Sequence, residues 1–221
     1  MSISLKGSTR SITEFFDYSI NSILYQRAVY PPEDFHVVKK YDLNLMVTHD
    51  EELKLYIRKI LLQVHRWLLG GKCNRLVLCI VKKTTGDVVE KWEFLVESTT
   101  APKNGSSTEQ LITPETVPIE ETQKQIRALI RQITASVTFL PELSSYNTEE
   151  DLNSDDDYDD GDDDDEALYT FNVLAYTQAN AKVPLEWGDS DSKEVANGES
   201  VKFKDVHTTD YKVGAQVTYK F

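Results

Sequence analysis

The sequence predicts an α+β domain, with three main helices packed on a largely antiparallel sheet. Two observations carry that assignment. Three segments (8–30, 50–69 and 122–135) repeat apolar residues every three or four positions, the period of a helix with one buried face. Between and after them lie short apolar or alternating runs bounded by turn residues, the pattern of strands. A chain of 221 residues is long enough to bury one substantial core, so a single domain is expected over 1–221.

In residues 8–30, Ile12, Phe15, Phe16, Ile20, Ile23 and Leu24 form a wide apolar face. Ser11 with Glu14 reads as a capping box, and Pro31-Pro32 as the stop. Residues 37–47 read as one edge or bulged strand, broken by Lys39, Lys40 and Asp42. The second helix spans 50–69 with Leu53, Tyr56, Ile57, Ile60, Leu61, Val64, Trp67 and Leu68 in its stripe and Gly70-Gly71 as its cap. Residues 76–81 are continuously apolar, as in a strand covered on both faces. A turn at Thr85-Gly86-Asp87 leads into 88–97, where Trp92, Phe94 and Val96 share one face, giving a hairpin at the centre of the sheet.

The third helix starts at Thr122, which with Gln125 makes a second capping box, and Ile126, Leu129, Ile130 and Ile133 form its stripe. Burying those four side chains is worth about 1.5–3 kcal/mol each, before entropy. Residues 137–140 are strand formers closed by Pro141. The helix is therefore expected to lead straight into the sheet, as a strand that pairs with 169–176 across a long loop. Arg127, Arg131 and Gln132 fall off the stripe and face solvent or a partner. After residue 177 no helical period survives. An apolar island at 183–187 is followed by strand signals at 200–204 and 213–221. The last puts Val213, Ala215, Val217, Tyr219 and Phe221 on one face, unusual for a chain end, which ordinarily frays.

The net charge of −13 is local. Residues 149–166 hold thirteen Asp or Glu and no Lys or Arg, so the body without them is formally neutral. The region 142–167 reads as an acidic, disordered loop insertion, and a neutral body beside it argues against nucleic acid as a partner. No apolar run is long enough to span a membrane. Cys73 and Cys79 lack metal spacing and read as reduced thiols. Gly70-Gly71-Lys72 lacks the rest of a phosphate loop, the acidic run lacks the ligand order of a calcium loop, and His36, His49, His65 and His207 are scattered. No nucleophile context is present. The pattern is that of a protein that binds rather than catalyses, with no cofactor and no metal.

Several stretches together resemble a HORMA domain, and within that family the spindle-assembly-checkpoint members of the mitotic-arrest-deficient type, in a budding-yeast-like version. They are Glu14-Phe-Phe16 with Asn21-Ser-Ile-Leu-Tyr-Gln-Arg27, Val89-Glu-Lys-Trp-Glu-Phe94, Ile130-Arg-Gln-Ile-Thr134 with Val137-Thr-Phe-Leu-Pro141, Val183-Pro-Leu-Glu-Trp187, and residues 207–220. The resemblance implies a two-state switch. Residues 177–221 become a mobile "safety belt", here carrying Val183, Leu185, Trp187, His207, Val213, Ala215, Val217, Tyr219 and Phe221. In the open state the last strands cover the edge of 169–176. In the closed state they cross to the other side of the sheet, and a partner peptide adds to the vacated edge at Tyr169, Phe171, Val173, Ala175 and Tyr176.

The same resemblance makes Arg131, Gln132 and Phe139 a dimerisation face for a conformational homodimer. It implies as partners a kinetochore-anchored coiled-coil checkpoint protein, the activator of the anaphase-promoting complex, and other mitotic checkpoint complex subunits. A remodelling hexameric ATPase would grip a mobile N-terminal segment, 1–10. Residence in nucleus and cytoplasm, and at the kinetochore and nuclear envelope, goes with these. The rival readings are an adaptor subunit of a translesion DNA polymerase on the same fold and an acidic-tract chaperone.

Overall fold

The computed structural model describes residues 2–99, 116–143 and 169–220, with side chains from Gly7 onward. The acidic tract at 149–166, the polar loop at 100–115 and Phe221 lie outside the described residues. Helix α1 (Ser2–Gln26) starts earlier than expected, so Ser11 lies inside it and is no cap. It also ends earlier. Ala28 takes a left-handed φ of 49°, and Val29 N–H donates to Leu24 O at 3.1 Å, closing the helix before Pro31-Pro32. The early exit aims Arg27 at the sheet, where Nε meets Glu90 Oε2 at 2.9 Å.

Residues 37–47 are not one strand. They form a hairpin of β1 (Phe35–Lys40) and β2 (Leu43–Thr48) as a separate two-stranded sheet. Tyr41 and Asp42 turn it with φ of 49° and 54°, the geometry of a two-residue hairpin turn usually filled by Asn-Gly. Tyr41 is held there by an edge-on contact with Tyr18 and a hydrogen bond to Glu14. Helix α2 (Glu51–Leu69) follows as read, with Asp50 Oδ1 accepting from Leu53 N–H at 2.6 Å and Gly71 supplying a left-handed residue after its end.

The main sheet is built on the hairpin of β3 (Cys73–Lys82) and β4 (Val88–Ser98). On β3's far side lies β5 (Tyr169–Thr177), and on β4's far side β8 (Tyr211–Tyr219), then β6 (Glu199–Lys202); β7 (Val206–His207) also pairs with β8. Helix α3 (Ile119–Ala135) begins after Pro118, so Thr122 lies in its first turns and is no cap. The expected strand at 137–140 does not form: residues 136–138 make a 3-10 turn, and β5 pairs with β3 instead.

The helices cover one face of the sheet. Phe15, Phe16 and Phe94 cluster with ring centroids 5.4–5.7 Å apart, and Leu76, Leu78, Ile80, Trp92 and the α3 stripe complete a continuous core. Val77, Cys79 and Val81 point to the opposite face and form a smaller cluster. Both cysteines are free, and burial pushes their thiols up to about 11, so they are inert at neutral pH. His65 is structural, its Nδ1 lying 3.1 Å from Thr13 Oγ1. No described helix is long and apolar enough to cross a membrane.

Candidate functional site

Strand β5 uses one edge to pair with β3 and carries no strand on the other among the described residues. Unpaired strand edges attract additional strands, because a row of backbone donors and acceptors is left for another chain. The predicted edge residues all lie on β5. Phe171 is buried, while Tyr169, Val173, Ala175 and Tyr176 are half-buried. Tyr176 faces away from the core side, with the Arg75 guanidinium 4.9 Å from its ring centroid. On the core side Phe171 meets Tyr56 of α2 at 5.7 Å and Tyr30 at 6.1 Å between ring centroids. Sequence reading placed Tyr56 in the buried stripe, yet it is 46% exposed and forms part of the surface beside the edge.

The C-terminal region wraps the sheet. Beyond β5, Trp67 Nε1 donates to Lys182 O at 2.9 Å, and Trp187 packs edge-on against Trp67 at 4.9 Å. Both tryptophans belong to the helix side of the molecule. Val183 and Leu185, by contrast, are exposed. Residues 188–192 are all exposed, and the chain then reappears on the opposite face. There Glu194 bonds Lys91 Nζ at 2.8 Å and Val195 is buried. Burial works against the Lys91 charge, but Glu194 and Glu93 outweigh it and raise its pKa. The belt thus changes faces between Trp187 and Lys193.

It ends in β8 on the β4 edge. Val213, Ala215, Val217 and Tyr219 are buried, and Val217 stands opposite Trp92. Tyr211 hydroxyl donates to Leu68 O at 2.6 Å, and Ser8 hydroxyl to Asp210 Oδ2 at 2.7 Å, so β8 is tied to both α2 and the start of α1. This is where the resemblance puts the tail in the closed state.

Below β8 lies a buried polar group that pattern reading missed. Besides Glu90, Arg27 reaches Pro141 O through Nη2 at 2.6 Å, and Trp92 Nε1 donates to the other Glu90 oxygen at 2.5 Å. Burial raises the Glu90 pKa against the pull of Arg27. Both residues stood in the stretches that carried the resemblance, but nothing in periodicity paired them across 63 residues.

The proposed dimerisation residues sit at the end of α3. Arg131 is exposed, and Phe139 is 41% exposed with its ring 6.2 Å from Tyr219. Gln132 differs: its Oε1 accepts from Lys204 N–H of the belt at 2.9 Å. Arg127 is held by Asp42 at 2.8 Å. His207 is exposed as a side chain, but its backbone is gripped by α3. Its N–H donates to Gln125 Oε1 at 2.7 Å, and Thr122 Oγ1 donates to its C=O at 3.1 Å. The two residues read as a capping box are therefore belt contacts. No group of three or more metal-ligating side chains occurs among the described residues.

A model of the HORMA domain matches residues 8–214. The mitotic spindle checkpoint component MAD2 of Saccharomyces cerevisiae is 61% identical over 220 residues, covering 100% of this chain and 98% of its own. Mitotic spindle assembly checkpoint protein MAD2A of Homo sapiens is 36% identical over 222 residues, covering 99% and 93%. A chain in a crystal structure of the mitotic checkpoint complex superposes with a TM-score of 0.77 at 39% identity, covering 97% of this chain and 99% of that one. HTP-2 of C. elegans, bound to a HIM-3 closure motif, superposes with a TM-score of 0.71 at 15% identity, covering 98% of this chain and 91% of its own, and shares the fold. Proteins of this kind are binding adaptors, not enzymes, and the full-length matches favour the checkpoint reading over the translesion-polymerase and chaperone readings. By sequence along its whole length and by topology, the chain belongs to the HORMA-domain family and, within it, to the mitotic spindle checkpoint branch.

Proposed function

We propose that this chain captures an extended partner peptide on the outer edge of β5, beneath the belt at 183–187, as a spindle checkpoint switch. The observation that carries the reading is the placement of β8 on β4, which leaves the β5 edge without a strand among the described residues. Backbone pairing along the nine residues of β5 supplies affinity. Tyr56, Val183 and Leu185, exposed beside that edge or on the belt that follows it, supply the apolar contacts that select a sequence. A belt closed over the peptide slows its escape, acting on the off-rate.

The partners this site fits are a kinetochore-anchored coiled-coil checkpoint protein and the activator of the anaphase-promoting complex, which compete for one edge. Sequestering the activator delays anaphase. Arg131, Gln132 and Phe139 recruit an open copy to a closed one, and the other checkpoint-complex subunits dock on the assembled pair. A hexameric ATPase acting on residues 1–10 reverses the switch. The Ser8–Asp210 hydrogen bond supports that role, since it couples the start of α1 to the belt. Residence in nucleus and cytoplasm, with recruitment to kinetochore and nuclear envelope, follows from those partners.

The test is backbone hydrogen exchange with a synthetic peptide from the coiled-coil partner. Protection is expected to rise over Tyr169–Thr177 and over residues 178–187. A peptide that binds without protecting β5 overturns the edge assignment. A second arm uses Arg131→Ala, which should weaken self-association and leave peptide capture intact; loss of both would overturn the separation of the two surfaces.

A further inference from the structure

Three polar side chains of α3 contact the belt backbone, all from one face of the helix. Thr122 and Gln125, three residues apart and so neighbours on one helix face, take the C=O and the N–H of a single residue, His207. They do for β7 what an adjacent strand would do, on the edge that β8 leaves open. Gln132 then takes the N–H of Lys204. From Gln125 to Gln132 the helix advances about 10.5 Å, two turns along one face, while the belt from His207 back to Lys204 runs the other way, with one extra residue inserted against β8 between Lys202 and Val206. Helix and belt therefore run antiparallel, and the two glutamines meet amides three residues apart. A belt slipped by one residue, about 3.3 Å, would miss both.

The packing beneath agrees with that register. Between Gln132 and Lys204 the chain forms a shallow groove lined by Phe139, Val201 and Phe203, and Phe203 stacks on Trp92 at 5.9 Å with the rings nearly parallel. Phe203 N–H pairs with Ala215 O at 2.9 Å, fixing the same segment to β8.

We infer that Thr122, Gln125 and Gln132 form a register gauge that positions the belt on the β4 side, so that the amide of Gln132 is occupied from within the molecule whenever the belt is closed. This rests on the two-state reading of the belt and adds the residues that hold one state. It also gives Gln132 a second role beside its proposed one in self-association: Arg131 is exposed, whereas the Gln132 amide already holds the belt.

The experiment is residue-resolved hydrogen exchange on the full chain, at a concentration where light scattering shows a monomer. Gln125→Ala should speed exchange of the His207 amide at least tenfold, and Gln132→Ala that of Lys204. Gln125→Glu, which keeps an acceptor oxygen, should restore most of the protection. Lys124→Ala, on the exposed side of the same helix, should change neither. The double variant Q125A/Q132A should also raise the exchange of β8 amides while β3 and β5 stay protected. Unchanged Lys204 and His207 amides in the double variant would overturn the gauge. So would acceleration spread equally over β3 and β4, since that is a general loss of stability. Failure of the peptide to protect β5 in the unsubstituted protein would strike the capture reading alone, because the amide measurements need no peptide.

Discussion

Strands β5 and β8 are equally long, nine residues each, and each flanks one member of the central hairpin, yet they are built differently. In β8 every second residue is buried, and both edges are paired, with β4 on one side and β6 and β7 on the other. In β5 only Phe171 is buried, most of the rest is half-exposed on both faces, and one edge is open among the described residues. On the proposed capture reading, β8 is a seat and β5 a socket. A strand that must hold its place uses strict alternation, because a one-residue slip would turn its whole apolar face outward. A strand that receives a partner keeps apolar side chains half-covered, so that area remains to be buried on binding.

The contrast breaks most severely at Val217, fully buried opposite Trp92. Val217→Asp places an unpaired carboxylate in the core and should cost more than about 4 kcal/mol. Hydrogen exchange should show β8 released from β4 with β3 and β5 still paired, and peptide capture should be lost although no β5 residue has changed. Retention of capture would mean that the socket does not depend on the seat.

Arg27→Ala comes next. It leaves Glu90 buried without its cation and should destabilise by about 3–5 kcal/mol. The paired change Arg27→Met with Glu90→Gln should recover most of that in a denaturant titration, since both charges leave together. If the pair is as unstable as the single variant, Arg27 acts through Pro141 O rather than through the ion pair. Tyr56→Ala is smaller and falls on the other side of the comparison. The ring is nearly half exposed, so folding should lose little, but peptide affinity should drop by about 1–2 kcal/mol, read by calorimetry.

How legible these regions were follows from the same physics. The alternation of β8, the stripe of α2 and the apolar run in β3 are strong one-dimensional signals, and each stands where its pattern put it, Tyr56 of α2 excepted. The turn at Tyr41-Asp42 carries no glycine, so its left-handed geometry had no compositional mark; tertiary contacts to Tyr18 and Glu14 hold it. Residues 137–140 have strand propensity, but the N–H groups of Phe139 and Leu140 both donate to Ser136 O and close a turn at the end of α3 instead. Thr122 and Gln125 satisfied the spacing of a capping box and of a belt contact equally well, since both depend on an i, i+3 pair. Only the position of Pro118 as the residue preceding the helix decides between them. The socket on β5 was assigned from family resemblance and could not have come from periodicity: an open edge is a property of what is absent beside a strand, and nothing within residues 169–177 records it.

The gentlest test of the comparison lies at Leu185, which is fully exposed two residues before Trp187 anchors the belt against Trp67. A fully exposed leucine contributes no burial to the fold, so Leu185→Asp should shift folding stability by no more than about 0.5 kcal/mol. If Leu185 is held out to be covered by a captured peptide, the same change should weaken capture about tenfold, the loss of roughly one apolar side chain's burial. The readings separate cleanly. A weakened peptide complex on an unchanged fold places 183–187 in the socket. An unchanged complex would confine recognition to β5 and Tyr56, leaving the leading part of the belt to act only as a tether to the β8 seat.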